Sequence, residues 1–240
     1  MKEIGKVKAI FRYPVKSMAA ESLDSVNVGW HGLDCDRRFA FARVGVHNGF
    51  PWLSASKMPK LILYSPFTKD INQEPSLPTH VKTPGGKELE LLGQQLQQEI
   101  SKAICSQVEI MQLRQGVFDE GKVSLISTAT INAIEQESGI PLNVARFRPN
   151  ILLETYEQKP FEENDLLYKT ILIGKSENQI ALKVYMQDER CVMINLNQAT
   201  AEANPEVLKA VVRLNNRNAG VYAMVTNIGK ISVGDKVYEG

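Results

Sequence analysis

The chain has 240 residues, of which 43% are hydrophobic and 23% charged, with a formal net charge of +1. That balance belongs to a folded globular protein and excludes a disordered or fibrous chain, and near-neutrality offers no overall field for nucleic acid or an anionic membrane. The opening residues carry no apolar signal stretch, no run approaches the roughly 20 apolar residues of a spanning helix, and the widely spaced Cys35, Cys105 and Cys191 predict free thiols in a reducing, cytoplasmic compartment.

Residues 7–13 alternate in hydrophobicity and are rich in β formers, so they read as a strand stopped by Pro14. Further short strands are expected over 23–28, 38–43, 61–64 and 87–92, each bounded by Gly, Pro, Asn or Ser. Between 93 and 106 the period changes: Leu96, Ile100, Ala103 and Ile104 share one helical face, and Cys105 beside them is expected to be an inert core thiol. A strand over 108–113 and a polar connection over 114–122 follow, which places a lobe boundary between 113 and 114. Ser127 is positioned to cap a helix over 128–138 that Gly139 and Pro141 end. Strands are expected at 150–154, 170–173, 180–184, 192–196 and 221–226, and a third helix over 205–214, begun by Asn204 and Pro205. Two β pieces around the Gly234-Asp235 turn close the chain. The fold class is therefore mainly β with some α, as an α+β protein: a β-barrel-like lobe, 1–113, and a second β-barrel domain with a few helices, 114–240.

Metal motifs that depend on spacing are missing. There is no Cys-x-x-Cys, no His-Glu-x-x-His and no calcium loop, and His31, His47 and His80 are scattered. Nucleophile-elbow, Walker A and dinucleotide glycine patterns are absent as well.

Four short clusters join cations or small polar groups to strand ends. In Tyr13-Pro14-Val15-Lys16-Ser17, a proline-set turn puts an ammonium beside a hydroxyl, a pair suited to phosphate. Gly32-Leu33-Asp34-Cys35-Asp36-Arg37-Arg38-Phe39 brings two guanidinium groups to the start of a strand, one free to reach a ligand while the other pairs with an acid. In Arg146-Phe147-Arg148-Pro149-Asn150, Pro149 favours an extended Arg148, which would share one side of a strand with Asn150 and suit a pterin or phosphate. Asp188-Glu189-Arg190-Cys191 sets a cation beside a thiol, which favours the thiolate that binds metals. Each also has a plain structural reading: a solvated turn, a surface ion pair, a loop brace and a buried inert thiol.

In this order the four clusters resemble the molybdenum cofactor sulfurase C-terminal (MOSC) domain family with its N-terminal β-barrel domain, over nearly the whole chain. The likeness is greatest to members typified by the mitochondrial amidoxime-reducing component, which end near Val-Gly-Asp-x-Val-Tyr, as in Val233 to Tyr238 here. The resemblance implies a molybdenum cofactor (molybdopterin) contacted by Lys16, Ser17, Arg38, Arg148, Asn150, Arg190 and Tyr222, with Cys191 as metal ligand and catalytic residue. It implies reduction of a small N-hydroxylated substrate by electrons from a partner, a flavin or iron–sulfur reductase. An alternative is a carrier of sulfur or of the cofactor itself on Cys191, serving an acceptor enzyme; a further one is a degenerate, non-catalytic member. The pyridoxal phosphate chemistry of a sulfurase domain is not expected from this chain alone.

Three departures stand out. Glu189 replaces a small polar residue before Arg-Cys, and Met193-Ile194-Asn195 replaces hydroxyl and acidic residues after it. Glu120-Gly121-Lys122 lacks a Thr-Ser pair for which Lys122 could substitute electrostatically.

Overall fold

A computed structural model describes residues 1–46, 50–69, 77–115, 120–175 and 179–240. In chain order the first half contains β1 (Lys2–Arg12), β2 (Glu21–Leu23), β3 (Ser25–Gly29), β4 (Gly32–Leu33), β5 (Phe39–Arg43), β6 (Ser65–Phe67), β7 (His80–Lys82), β8 (Glu88–Glu90), α1 (Gln94–Ile104) and β9 (Val108–Gln112). The second half contains β10 (Val123–Ser127), α2 (Thr128–Ser138), β11 (Ile151–Thr155), β12 (Thr170–Ile173), β13 (Ile180–Glu189), α3 (Glu206–Asn215), β14 (Asn218–Asn227), β15 (Gly229–Ser232) and β16 (Lys236–Glu239).

Seven strands close a barrel in the order β11-β10-β14-β13-β12-β16-β1, and β1 returns to pair with β11. Closure leaves these strands no open edge. Adjacent strands run antiparallel except β10 and β11, whose parallel pairing is made possible by the crossover through α2. The interior is filled by Val7, Ile10, Leu125, Ile151, Ile171, Leu182 and Val221, all at most 1% exposed. β1 bends twice to serve this closure, with register shifts between Glu3 and Gly5 and between Val7 and Ala9. Gly5 is required at the first bend, because a Cβ there would stand 2.4 Å from the Glu154 carbonyl oxygen.

A second core joins the β5–β9 pair, α1 and the β6-β7-β8 sheet through Phe39, Phe41, Leu53, Leu61, Leu96 and Ile100. α2 and α3 form a third cluster against the barrel's outer face, centred on Ile126, Ile134, Phe147, Val207 and Val211. Residues from both sides of 113/114 share the barrel core. Val26, Val28 and Leu33 join the barrel core together with β1.

Several local expectations change. Residues 61–63 belong to a 3-10 helix, Pro59–Leu63, that Tyr64 caps, because Pro59 presets its first turn and Leu61-Ile62 bury together instead of alternating. Residues 192–195 likewise form a 3-10 turn, Val192–Asn195, capped by Leu196, in place of a strand. Cys105 is exposed: it caps α1 in the left-handed region at φ 52°, which swings it off the apolar face. Cys35, in contrast, is buried, and burial pushes its thiol pKa up. The two closing strands do not pair as a hairpin; β15 joins β3, while β16 lies between β12 and β1. α3 starts at Glu206, one residue later than expected, with Asn204 Oδ1 accepting from Glu206 N at 3.1 Å. Ser127 caps α2 as its sequence implies, accepting from Thr130 N at 3.1 Å. The expected connection over 114–122 lies partly outside the described residues, as does His47.

Candidate functional site

One end of the barrel opens onto a cavity of about 560 Å³ whose other wall includes Lys16, Ser17, Phe50, Trp52, Ser54 and Ser56. Strand direction brings the pieces together: β1 ends here, β11 begins here, and β13 delivers Asp188 to Cys191 at its exit. The turn after β1 is clipped to β5 by a bridge between Val15 and Phe39, with Lys16 N donating to Phe39 O at 2.8 Å. Ser17 takes the left-handed region at φ 64° and is buried, which turns the Lys16-Ser17 pair into the cavity.

Arg190, 6% exposed, is held at three points. Its Nε donates to Ala219 O at 2.6 Å, Nη1 donates to Phe147 O at 2.7 Å, and Nη2 lies 2.8 Å from Asp188 Oδ2. That last contact is an ion pair off the hydrogen-bonding direction, so Nη2 is buried without an aligned acceptor among the described residues. Asp188 also accepts from Ser124 Oγ at 3.1 Å. Arg148 donates to Met18 O at 2.7 Å and lies 4.1 Å over the Tyr13 ring, whose other neighbour is Arg37 at 5.5 Å. Arg146 is buried with Nη1 on the carbonyls of Asn195, at 2.9 Å, and Ile194, and burial lowers its pKa. Carbonyl partners fix Arg146 and Arg148 without cancelling their charge, while Arg190 is also paired with Asp188. The lining holds five cations, Lys16, Arg37, Arg146, Arg148 and Arg190, against the acids Glu120, Asp188 and Glu189, so the cavity favours an anion although the chain is nearly neutral.

Of the sequence-predicted residues, Lys16, Ser17, Arg148, Arg190, Cys191 and Tyr222 line this one cavity. Cys191 is exposed, at the start of the 3-10 turn. Tyr222 is 5% exposed and rests on Gly121, where a Cβ would approach its ring to 2.2 Å. Arg38 does not line the cavity. Its Nε donates to Leu113 O at 2.7 Å, because the left-handed turn at Arg37, φ 46°, sends residue 37 inward and leaves residue 38 to brace the end of β9. Arg37 takes the inward place: buried, ion-paired to Asp36 and donating to Asn150 Oδ1 at 2.9 Å. Asn150 is also absent from the lining. Fully buried, it accepts from Ser124 N at 3.1 Å and donates to Asp36 Oδ2 at 3.1 Å, so it positions the Asp36–Arg37 pair. Nor is Arg148 extended beside Asn150; it sits at φ 50°, since Pro149 disfavours the right-handed helix just where the preceding turn must swing into β11.

The departures from the family pattern acquire physical meaning. Glu189 is paired with Arg217 at 3.1 Å, which offsets its charge. Asn195 is 7% exposed and its Oδ1 accepts from Leu208 N at 2.9 Å, tying the cavity turn to α3. Lys122 does not line the cavity; its Nζ donates to Trp30 O at 3.1 Å, and Glu120 takes the nearby place in the wall. Sequence reasoning missed Arg37, Arg146, Phe50 and Trp52 as lining residues. Arg37 and Arg146 stood inside clusters already singled out, but choosing between neighbouring arginines needs backbone handedness. For Phe50 and Trp52 no sequence signal pointed to a site.

The MOSC domain family matches residues 112–238, and the MOSC N-terminal beta barrel domain family matches residues 4–124. Molybdenum cofactor sulfurase of Drosophila pseudoobscura pseudoobscura is 32% identical over 126 residues, 52% of this chain and 14% of that protein. The Drosophila ananassae counterpart is 30% identical over 132 residues, 52% of this chain and 16% of that protein. The chain thus spans a small fraction of the curated relatives it matches. The crystal structure of the YuaD protein from Bacillus subtilis superposes with a TM-score of 0.52 at 14% identity, covering 98% of this chain and 94% of that one, a likeness of fold.

Proposed function

We propose, on the premise that this chain belongs to the MOSC domain family in the form carrying the MOSC N-terminal β-barrel domain, that its large cavity holds a molybdenum–pterin cofactor and reduces N-hydroxylated compounds. The observation that carries the reading is the convergence of Lys16, Ser17, Arg148, Arg190, Tyr222 and an exposed Cys191 on one cavity. Its donor set fits the group: a soft sulfur donor for the metal, buried guanidinium groups for pterin and phosphate, and Arg190 Nη2 still lacking an aligned acceptor. A volume of about 560 Å³ lies within the range for small-molecule sites.

In this reading Cys191 ligates molybdenum through its thiolate. Lys16, Arg37, Arg146, Arg148 and Arg190 hold the anionic and electron-rich parts of the pterin, and Tyr222 bears on it from β14. The cofactor supplies the two-electron redox chemistry; the chain supplies orientation and electrostatics. Phe50 and Trp52 flank the substrate's approach. Electrons come from a separate flavin or iron–sulfur reductase, in the reducing cytoplasm where free thiols persist. The test is production in a host that makes the cofactor, then metal analysis and turnover of an amidoxime under strong chemical reductant. Molybdenum near one per chain with turnover is the expected result; molybdenum without turnover of amidoxime, hydroxylamine or N-oxide removes the reductase assignment. No molybdenum returns the chain to the degenerate reading.

A second reading is favoured by the exposure of Cys191 and by the sulfurase relatives: a carrier that hands sulfur, or the cofactor, to an acceptor enzyme. Intact mass after exposure to a persulfide donor distinguishes it, with one sulfur added at Cys191 and transferred onward.

A further inference from the structure

Strands β13 and β14 pair as far as Glu189 and Asn218, and the next rung joins Arg190 to Arg217, a residue that does not line the cavity. Arg190 N donates to Arg217 O at 2.9 Å, as an antiparallel rung requires. The return bond does not come from the backbone, because Arg217 N donates back to Val211 O at 3.3 Å where α3 ends. Arg217 Nε takes its place, donating to Arg190 O at 2.8 Å, while Nη1 pairs with Glu189 at 3.1 Å. A side chain thus closes the last rung before Cys191.

Arginine occupies that place against the preference of the backbone. Asn216 and Arg217 both take the left-handed region, at φ 48° and 72°. Asparagine enters that region readily, and glycine would occupy position 217 without strain. A long side chain held in a conformation that favours glycine points to a role for the side chain itself. Cys191 is the group that depends on it. The peptide unit is planar, so holding Arg190 O sets the plane from which Cys191 departs. Cys191 makes no side-chain capping bond to the turn it begins, and on its other flank Cys191 O accepts from Ile194 N at 3.3 Å. The direction of the sulfur therefore rests on backbone held from two sides, and Arg217 is one of them.

On the reading of Cys191 as the metal ligand, we propose that Arg217 is a positioning residue for that thiolate, acting through the Arg190 carbonyl without touching the cofactor. The Nε–H is the group that matters, and the charge opposite Glu189 is secondary. Glutamine carries an N–H at the same distance along its side chain, whereas lysine keeps the charge but has a methylene there. Glycine removes the donor and relieves the backbone.

The test compares R217Q, R217K and R217G with the native chain in two measurements. In the cofactor-free full chain, exchange of the Arg190 amide hydrogen, followed by NMR, is expected to quicken at least about tenfold in R217G and R217K and to stay within about threefold in R217Q. The Cys191 amide and Cβ resonances are expected to shift or broaden in R217G and R217K and to stay native-like in R217Q. In cofactor-loaded protein, kcat for an amidoxime is expected to fall at least about tenfold in R217G and R217K with KM within about twofold, while R217Q keeps at least about half the native kcat. The thermal midpoint of R217G is expected within about 4 °C of the native value, since relief of the backbone offsets the lost bond; this separates positioning from general destabilisation. Native kcat in a folded R217G overturns the proposal, as does an R217Q as impaired as R217G. Native-like Cys191 resonances and Arg190 exchange in R217K overturn it too, a result that does not depend on whether R217G folds. A native chain without molybdenum, or without turnover, removes the cofactor or the reductase reading, and the measurements on the cofactor-free chain still decide whether Arg217 sets the Cys191 backbone.

Discussion

At the scale of single residues, the site turns on which of two neighbours faces inward. Arg37 and Arg38 are equivalent in composition, yet Arg37 is buried against Asp36 and Asn150 while Arg38 holds the Leu113 carbonyl. R38A is expected to leave the molybdenum content within about twofold of the native chain, whereas R37A strands a buried Asp36 charge, costs about 3–5 kcal/mol and empties the site. Metal-to-protein ratios and thermal unfolding of the pair check this. C191S removes the soft donor and is expected to abolish turnover while the guanidinium groups still retain pterin, measured as released fluorescent pterin; unchanged turnover removes the ligand assignment. Glu163 gives a prediction with a pH signature. Its pKa is raised by burial, so the native state holds its proton more tightly than the unfolded chain, and stability is lost as pH rises through the native value. E163Q is therefore expected to unfold at a higher temperature than the native chain at pH 7–8, and the gap to close below about pH 4.3, the unfolded value.

At the scale of elements, glycines and short turns decide how closely the walls approach. Gly220 takes φ 88°, and a Cβ there would meet Leu125 O at 2.6 Å and Arg190 Nη2 at 3.0 Å. G220A is expected to cost about 2 kcal/mol or more and to loosen Arg190, read by denaturant unfolding together with cofactor retention. Periodicity located the helices well. Ser127, Gly139 and the apolar spacing of residues 128–138 define α2 by local chemistry, and α1 follows from Leu96 and Ile100. Periodicity failed where a run was both short and uniformly apolar. Leu61-Ile62-Leu63 and Val192-Met193-Ile194 form 3-10 turns, because period alone does not separate a short apolar strand from a short apolar turn. The second turn bears most on the proposed site, since it carries Cys191 at its start and Asn195 at its end.

At the scale of the whole molecule, closure of the barrel joins distant parts of the chain. β1 pairs with β11 and β16, so deleting residues 2–12 exposes two strand edges and is expected to yield aggregated protein, and residues 114–240 alone are expected to show no cooperative thermal transition by circular dichroism. Closure also creates two chemically opposite ends: a cationic cavity where β1 finishes and an acidic one where it begins. The sequence by itself determined the mainly β class, the three helices, the four clusters and Cys191 as the thiol of interest. Each rests on local propensity, capping or motif order, which neighbouring residues carry among themselves. Only the tertiary structure decided that Arg37 replaces Arg38 in the wall, that Val26, Val28 and Leu33 share the barrel core with β1, and that Glu163 is buried beside Thr130. Those outcomes depend on backbone handedness and on pairing between strands more than a hundred residues apart, where no local pattern records which side chain faces which cavity.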